Sequence, residues 1–476
     1  GHRAFDRPRG SGPAVSEVAP SGAAAAASDR RALVFAGAAL VVALVPLGGV
    51  WEWPRFIVAS AFVAAAVLAH RDGFAAAAAA LFVTIAVKDG VLVVPGAYVG
   101  LFHVVLAGAI GAAAMRAVRT RALPRVRLTG AEWALGLLPL AGLWSLPASL
   151  DAGQTALATA RLVMLWAAAL VVSRALSDRR SLRVAVVAFV LAALPLAIVA
   201  LAQWAFPELG VGSIHRPVPG GQIRPAGFYM DPNFLGAHLV LAALGALSLS
   251  GSERRWPLWT AAAAGMLGIV ALTYSRSAWL EAAVGIVALL VIGTRRVRVA
   301  TLGVAIAAVL AGMVLLGPSL VTGRALSIFE TGAGSSNATR ILMVRSTLTM
   351  IAERPLFGTG LKAFEVAYPD YVLPGADPSI THPHQVALAL VAETGIAGAI
   401  ALVALAITGV RAMVRARAGG SVAGAAATVG VLVLGVGSFF QYFLYFELAW
   451  LFAGLLAASV RCAAGGAPSA PAVTRS

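Results

Sequence analysis

The sequence predicts an all-α, polytopic transmembrane helix bundle of 12–14 spans with one large periplasmic loop that contains a helix. Three observations carry this. Hydrophobic residues make up 60% of the chain and charged residues 12%, against a charged share of about 25% in soluble globular domains. Apolar runs of about 17–25 residues, the length an α-helix needs to cross hydrocarbon, recur along the chain. Strand-type alternation is absent, so helices rather than a barrel satisfy the backbone. The formal charge of +16 sits in short basic clusters beside apolar blocks, which is a topology signal, and no nucleic-acid partner is expected. The lone Cys462 excludes an intrachain disulfide.

In chain order, residues 1–31 are rich in Ala, Pro, Gly, Ser and Arg without an apolar period, and read as a disordered cytoplasmic tail. No cleavable signal peptide is expected, because the first apolar block starts only at Ala32 and many follow. Candidate spans are 32–50, 54–69, 74–94, 98–115, 131–148, 155–175, 183–206, 230–250, 256–274, 277–294, 299–317, 385–410, 421–440 and 446–462. The second and third are short and Ala-rich, so either could be partial or re-entrant. The organisation is an N-terminal bundle (32–206), a central region (207–317) with a short Arg224 loop, a large loop (318–384), C-terminal helices (385–462) and a cytoplasmic tail (463–476).

Arginine counting sets the orientation. Clusters at Arg116–Arg127, Arg174–Arg183, Arg254–Arg255, Arg295–Arg298 and Arg411–Arg417 follow the even-numbered spans, whereas the opposite short connectors carry little beyond Arg55 and Arg276. The arginine-rich side, with both termini, is assigned to the cytoplasm, and the connectors 207–229 and 318–384 to the periplasmic face of a bacterial inner membrane. In the larger loop, Ser336 and Asn337 suit an N-cap for a helix from about Ala338 to Glu353, ended by Pro355. Ile341, Leu342, Leu348 and Ile351 give that helix an apolar stripe. Inverted repeats of broken helices are absent, which weighs against a transporter.

The residues that could carry chemistry crowd toward the outer side. A charge at mid-membrane costs about 2.5–3.5 kcal/mol on insertion scales, so its position is informative. Asp231-Pro232 begins a helix, and Arg224 stands seven residues earlier, near a helix N-terminus that favours an anion such as phosphate. The alternative for Arg224 is a pair with Asp231 or Glu208. Arg276 lies in the tight Tyr274-Ser275-Arg276-Ser277 turn, where it binds an anion or snorkels to the interface. Arg340, on the loop helix, binds an anion or faces solvent and head groups. Arg161, two turns into its span, is a site residue or a structural ion pair with Asp151 or a neighbouring helix. His384 directly precedes a span, and a neutral imidazole there accepts a hydroxyl proton near neutral pH. His382 supports it or is solvated, and Glu393 orients a base, contacts an acceptor or pairs with Arg276 or Arg161. No third ligand joins the two histidines at convincing spacing, so neither a metal nor another cofactor is expected.

Together these motifs resemble the O-antigen ligase and O-antigen polymerase family of bacterial membrane proteins. The resembling pieces are Arg224 with Gly227 and Asp231-Pro232-Asn233; Thr273-Tyr274-Ser275-Arg276-Ser277; Arg340 through Arg354-Pro355-Leu356-Phe357-Gly358-Thr359-Gly360; and His384-Gln385 followed by Glu393-Thr394-Gly395. The family usually has Asn where this chain has Gln385, which moves the amide by one methylene. The resemblance implies an inverting, metal-independent glycosyltransferase at the outer leaflet, using an undecaprenyl-diphosphate-linked glycan as donor. In ligases the acceptor is a lipid A-core sugar, and in polymerases another lipid-linked glycan. By the same resemblance Arg224, Arg276 and Arg340 bind the diphosphate and His384 takes the acceptor proton, with Arg161, Glu393, His382 and Gln385 in support. The ligase reading is adopted, with the repeat-unit polymerase as its alternative; membrane lipids are further partners. From other classes, a lipid-linked glycan transporter needs charges reachable from the cytoplasmic half, and an inert assembly scaffold needs no convergence of His384 with the arginines.

Overall fold

The computed structural model describes residues 52–465 except 87–91, 95–96, 122–126, 211–215, 218–222, 230, 252–254, 328–331, 333–335, 377–379 and 381. The expected tail at 1–31, the candidate span 32–50 and the chain beyond 465 lie outside the described residues. Each other candidate span is a helix. These are α1 (Glu52–Ala69), α2 (Gly73–Thr84), α3 (Leu101–Thr120), α4 (Gly130–Ser145), α5 (Ala152–Ala175), α6 (Arg179–Ala205), α7 (Pro232–Ser250), α8 (Trp256–Leu272), α9 (Arg276–Ile292) and α10 (Arg295–Leu316). Past the loop helices α11 (Pro318–Leu326) and α12 (Ser336–Glu353) come α13 (Val386–Ala418), α14 (Val422–Gly437) and α15 (Glu447–Gly465). Among the described residues seven of them (α3, α5, α6, α7, α10, α13 and α15) are long and apolar enough to cross a membrane. The chain is an all-α polytopic bundle.

Polar residues at the helix starts explain where these elements begin. Thr129 and Glu132 cap α4 reciprocally, and Asp151, Asp178, Asp231, Ser275, Thr294 and Ser421 each accept from a backbone N–H of the first turn. One span is partial, as its sequence allowed. The stretch 74–94 is helical only to Thr84, and its 12 residues cover about 18 Å, short of the roughly 30 Å hydrocarbon core. Leu92–Val94 instead forms β1, paired antiparallel with β2 (Ala97–Val99).

α7 is the central helix. It packs against α6, α8, α9 and α14, and 89% of its apolar window is buried, against 28% for α10 at the periphery. A helix apolar all round belongs in such an interior. The 318–384 loop has a small core of its own, Met343, Met350, Phe364, Ala367 and Tyr368. The buried face of α12 is therefore Met343, Ser346, Thr347 and Met350, while Ile341 and Leu348 of the expected stripe are exposed. The α12 N-terminus also departs from expectation: Ser336 and Asn337 are its first residues rather than its cap.

Backbone bonds tie this loop into the bundle. The N–H groups of Thr359 and Gly360 donate to the carbonyls of Ala392 and Glu393 (3.0 and 2.9 Å). Those carbonyls are open because α13 breaks at Gly395 (φ 59°, ψ −140°). A Cβ on Gly395 would lie 2.5 Å from the Leu356 carbonyl carbon, and one on Gly358 (φ 70°) 2.5 Å from the Glu393 carbonyl oxygen. The two glycines let main chain cross main chain, where irregular backbone inside a bundle is tolerated because protein groups satisfy it. On the far side, Leu361 N–H donates to Ser145 Oγ (3.2 Å) and its carbonyl accepts from Thr155 (3.0 Å).

Candidate functional site

The candidate residues sit at the starts of α7, α9 and α13, in the loops before them and on α12. Asp231 caps α7 through the Asn233 N–H (2.8 Å), with Pro232 in the first turn. Arg224 ends the two-residue strand β4 (Ile223–Arg224), paired with β3 (Arg216–Pro217). Its Nε donates to the Thr273 carbonyl (2.7 Å) and an Nη to Asn233 Oδ1 (3.2 Å), so it bridges the α8 C-terminus and the α7 N-terminus. The buried Gln203 of α6 holds this loop from below, accepting from the Ala226 and Gly227 N–H groups and donating to the Gly227 carbonyl.

Arg276 is the first residue of α9, set by a left-handed Tyr274 (φ 53°) and the Ser275 cap. Its guanidinium donates to the Ser327 carbonyl (2.6 Å) and hydroxyl (3.3 Å). Arg340 on α12 is half-buried, and burial lowers its pKa, with the neighbouring Arg276 charge adding to the effect. Guanidinium groups stay protonated in proteins, so these two like charges face each other. Among the described residues, the arginine–carboxylate pairs are Arg161–Glu447, Arg174–Glu132 and Arg461–Glu132. Neither Arg276 nor Arg340 is among them.

His384 occupies a left-handed backbone position (φ 48°), and its Nδ1 is buried without a hydrogen-bond partner. Burial lowers its pKa from 6.5, the Arg340 charge lowers it further, and Asp231 opposes them. The ring therefore feels the charges of both the α12 arginine and the α7 cap. His382 packs edge-on against it at 4.5 Å between ring centroids. Its pKa is lowered to about 4 by burial, then by His384 and Lys362. Gln385 precedes α13 with its side-chain oxygen buried and unbonded.

Behind the histidines runs an aromatic path. The Tyr442 ring lies 5.3 Å from His382, and its hydroxyl donates to Glu393 Oε2 (3.1 Å). Glu393, fully buried on α13, also meets the backbone N–H groups of Lys362 and Phe364. Its partners are thus Tyr442 and the loop rather than Arg276 or Arg161. Tyr445 follows at 5.8 Å from Tyr442, and Arg161 stacks over it at 5.2 Å while meeting Glu447 at 3.5 Å. Arg161 accordingly makes a structural pair with a neighbouring helix, whereas Asp151 caps α5.

Lys362 and Tyr442 were not singled out from the sequence. The Lys362 Nζ sits 5.7 Å above the Tyr442 ring, again on a left-handed backbone (φ 67°). A signal existed, since Lys362 and Lys88 are the only lysines in an arginine-rich chain. Of the four left-handed non-glycine residues among those described, Tyr274, Lys362 and His384 line this region and only Arg121 does not. Such strain of about 1–3 kcal/mol persists where surrounding structure enforces it, commonly at functional sites.

Residues 261–403 match the family model described as O-antigen ligase. Over that stretch the chain is similar to this family. That stretch holds Arg276, Arg340, Lys362, His382, His384, Gln385 and Glu393, while Arg161, Arg224 and Tyr442 lie outside it. No curated protein matches the chain.

Proposed function

We propose that this protein is an O-antigen ligase-type glycosyltransferase, moving a glycan from undecaprenyl diphosphate to a sugar hydroxyl of lipid A-core at the periplasmic face. What supports the reading is electrostatic: the charges of Arg340 and Asp231 both act on the His384 ring, and the Arg276 charge acts on Arg340. Among the described residues neither arginine has a carboxylate partner, which suits a substrate carrying both a diphosphate and a reacting sugar.

In this reaction the acceptor oxygen attacks the anomeric carbon on the face opposite the diphosphate. The carbon–oxygen bond to phosphate breaks, its electron pair stays on the diphosphate, and the anomeric configuration inverts. The acceptor proton goes to the His384 imidazole, whose lowered pKa keeps it unprotonated near neutral pH. Arg276 and Arg340 stabilise the charge that gathers on the leaving group, as pre-placed donors do where water is scarce. Arg224 reaches the same diphosphate from the α7 N-terminus, where free N–H groups favour an anion. Lys362, Tyr442 and Glu393 back the His382 side of the histidine pair.

Reconstitution tests this. Purified protein with undecaprenyl-diphosphate-linked glycan and lipid A-core is expected to form the lipid A-linked product in EDTA. His384→Ala is expected to lose about 10²–10⁴-fold in rate, the usual contribution of a general base. Wild-type rates in His384→Ala and Arg276→Ala would overturn the assignment, and loss of activity in EDTA with recovery on adding a divalent ion would overturn the metal-free mechanism. Chain growth from donor alone would reassign the acceptor to a second lipid-linked glycan.

A further inference from the structure

At the end of the bundle opposite His384, the helices α4, α13 and α15 enclose a cavity of about 110 Å³. Gly130, Ala131, Thr408, Arg411 and Arg415 line it. α13 begins two residues after His384, and at 1.5 Å per residue Arg411 lies roughly 35 Å along it, about the thickness of the hydrocarbon core. The cavity therefore sits at the other membrane interface.

Its lining has the chemistry of an anion site. Arg411 and Arg415 are four residues apart on one helix face, where like charges repel, and neither is in the arginine–carboxylate pairs of the described residues. Glu132, at the start of α4 beside the cavity, is buried and already committed: it accepts from the Thr129 N–H (2.6 Å), Ser173 Oγ (2.6 Å), Arg174 (3.5 Å) and Arg461. Two guanidinium groups thus already share that carboxylate. On the opposite wall, the Thr129 side chain and carbonyl take the Glu132 and Trp133 N–H groups, and Gly130 and Ala131, whose N–H groups belong to the first turn of α4 that has no intrahelical acceptor, line the cavity. Beside the arginines, Trp133, Ile407, Val410 and Val414 form an exposed apolar border on the same two helices, a surface for acyl chains with a tryptophan at interface depth.

We propose that this cavity holds the phosphate of an anionic phospholipid, with its chains along the apolar border between α4 and α13. Basic pockets between helices at a membrane interface recognise such head groups. Each arginine near an anionic lipid is worth about fivefold in affinity, so removing both weakens binding about 25-fold.

The test titrates the full chain in detergent with mixed micelles containing dioleoylphosphatidylglycerol, dioleoylphosphatidylcholine or neither, following thermal unfolding and the lipid retained in native mass spectrometry. The glycerol lipid is expected to stabilise the wild type and the choline lipid not. Arg411→Ala/Arg415→Ala is expected to need about 25-fold more of the anionic lipid for half-saturation, and Arg411→Lys/Arg415→Lys less than that. Arg295→Ala/Arg296→Ala, which removes exposed charge from the same end, is expected to bind as wild type. Equal protection by both lipids, or equal weakening by the two alanine pairs, would overturn the site in favour of a diffuse basic surface. Protection by inorganic phosphate alone, matching that by the anionic lipid, would overturn the lipid as occupant.

Discussion

Replacing Gly395 by alanine tests whether the crossing of the 354–363 loop over α13 holds the site together. The residue sits at φ 59°, ψ −140°, a region that costs an L-residue about 1–3 kcal/mol. Its new Cβ would also lie 2.5 Å from the Leu356 carbonyl carbon and 2.7 Å from the Pro355 carbonyl oxygen. Both are main-chain atoms with no rotamer to yield, and overpacking of that kind costs about 1–3 kcal/mol. The total is about 2–6 kcal/mol. At an unfolding entropy of about 2.1 cal/mol/K per residue, a mid-range loss over 476 residues lowers Tm by about 4 °C.

The cheaper escape is for the loop to undock, giving up the Thr359 and Gly360 bonds to α13 at about 1 kcal/mol each. Lys362 and the backbone of Glu393 then lose their register with Tyr442, so transfer is expected to fall more than stability does. Gly409 of the same helix is the control, because a Cβ there meets nothing within 4 Å; Gly409→Ala is expected to be neutral or stabilising by up to about 1 kcal/mol. Tm by intrinsic tryptophan fluorescence and transfer in proteoliposomes give both readouts. A Gly395→Ala protein as stable and active as Gly409→Ala would refute the crossing as a structural requirement.

Other expectations follow from single contacts. Because the His384 pKa is lowered, the base is unprotonated above about 6.5 and lost only as pH falls below it. A pH–rate profile is therefore expected to be flat through neutrality with an acid limb, which Arg340→Gln moves to higher pH and Asp231→Asn to lower. Tyr442→Phe leaves a buried Glu393 oxygen without its hydroxyl donor, at about 1–3 kcal/mol, measurable as a lower unfolding midpoint. Glu132→Ala strands the Arg174 and Arg461 charges beside a buried position; loss of one partner of such a pair costs about 3–5 kcal/mol. Denaturant unfolding checks that loss, with KM for donor unchanged because Glu132 lies at the far end of the bundle.

The helices were legible because apolar run length is a local property. Capping residues such as Asp231, Ser275 and Thr294 placed the starts of α7, α9 and α10 to within a few residues of the expected spans. The 74–94 span is partial, one of the two outcomes its sequence left open, because a hydropathy run does not distinguish a twelve-residue helix followed by a strand pair from one continuous span. On α12 the apolar stripe includes the exposed Ile341 and Leu348, while the loop's own core of Met343 and Met350 against Phe364 and Tyr368 was not legible because those residues are distant in sequence. The charges of Arg340 and Asp231 both act on His384, and each of the three stands at a helix end, in the first turns of a helix or just before one. Partners set by main-chain crossings were not legible. Glu393 meets Tyr442 and Lys362 only because Gly358 and Gly395 let two backbones touch, and Arg161 finds Glu447 through helix packing alone.

The most direct test separates binding from chemistry at the same site. Native mass spectrometry of undecaprenyl diphosphate retention, run on the preparations used for transfer, is expected to show His384→Ala binding the lipid as wild type while failing to transfer. Arg276→Gln/Arg340→Gln is expected to retain the fold and lose the lipid. Undiminished retention by the arginine pair, or wild-type transfer without the imidazole, would contradict a shared diphosphate and proton-acceptor site.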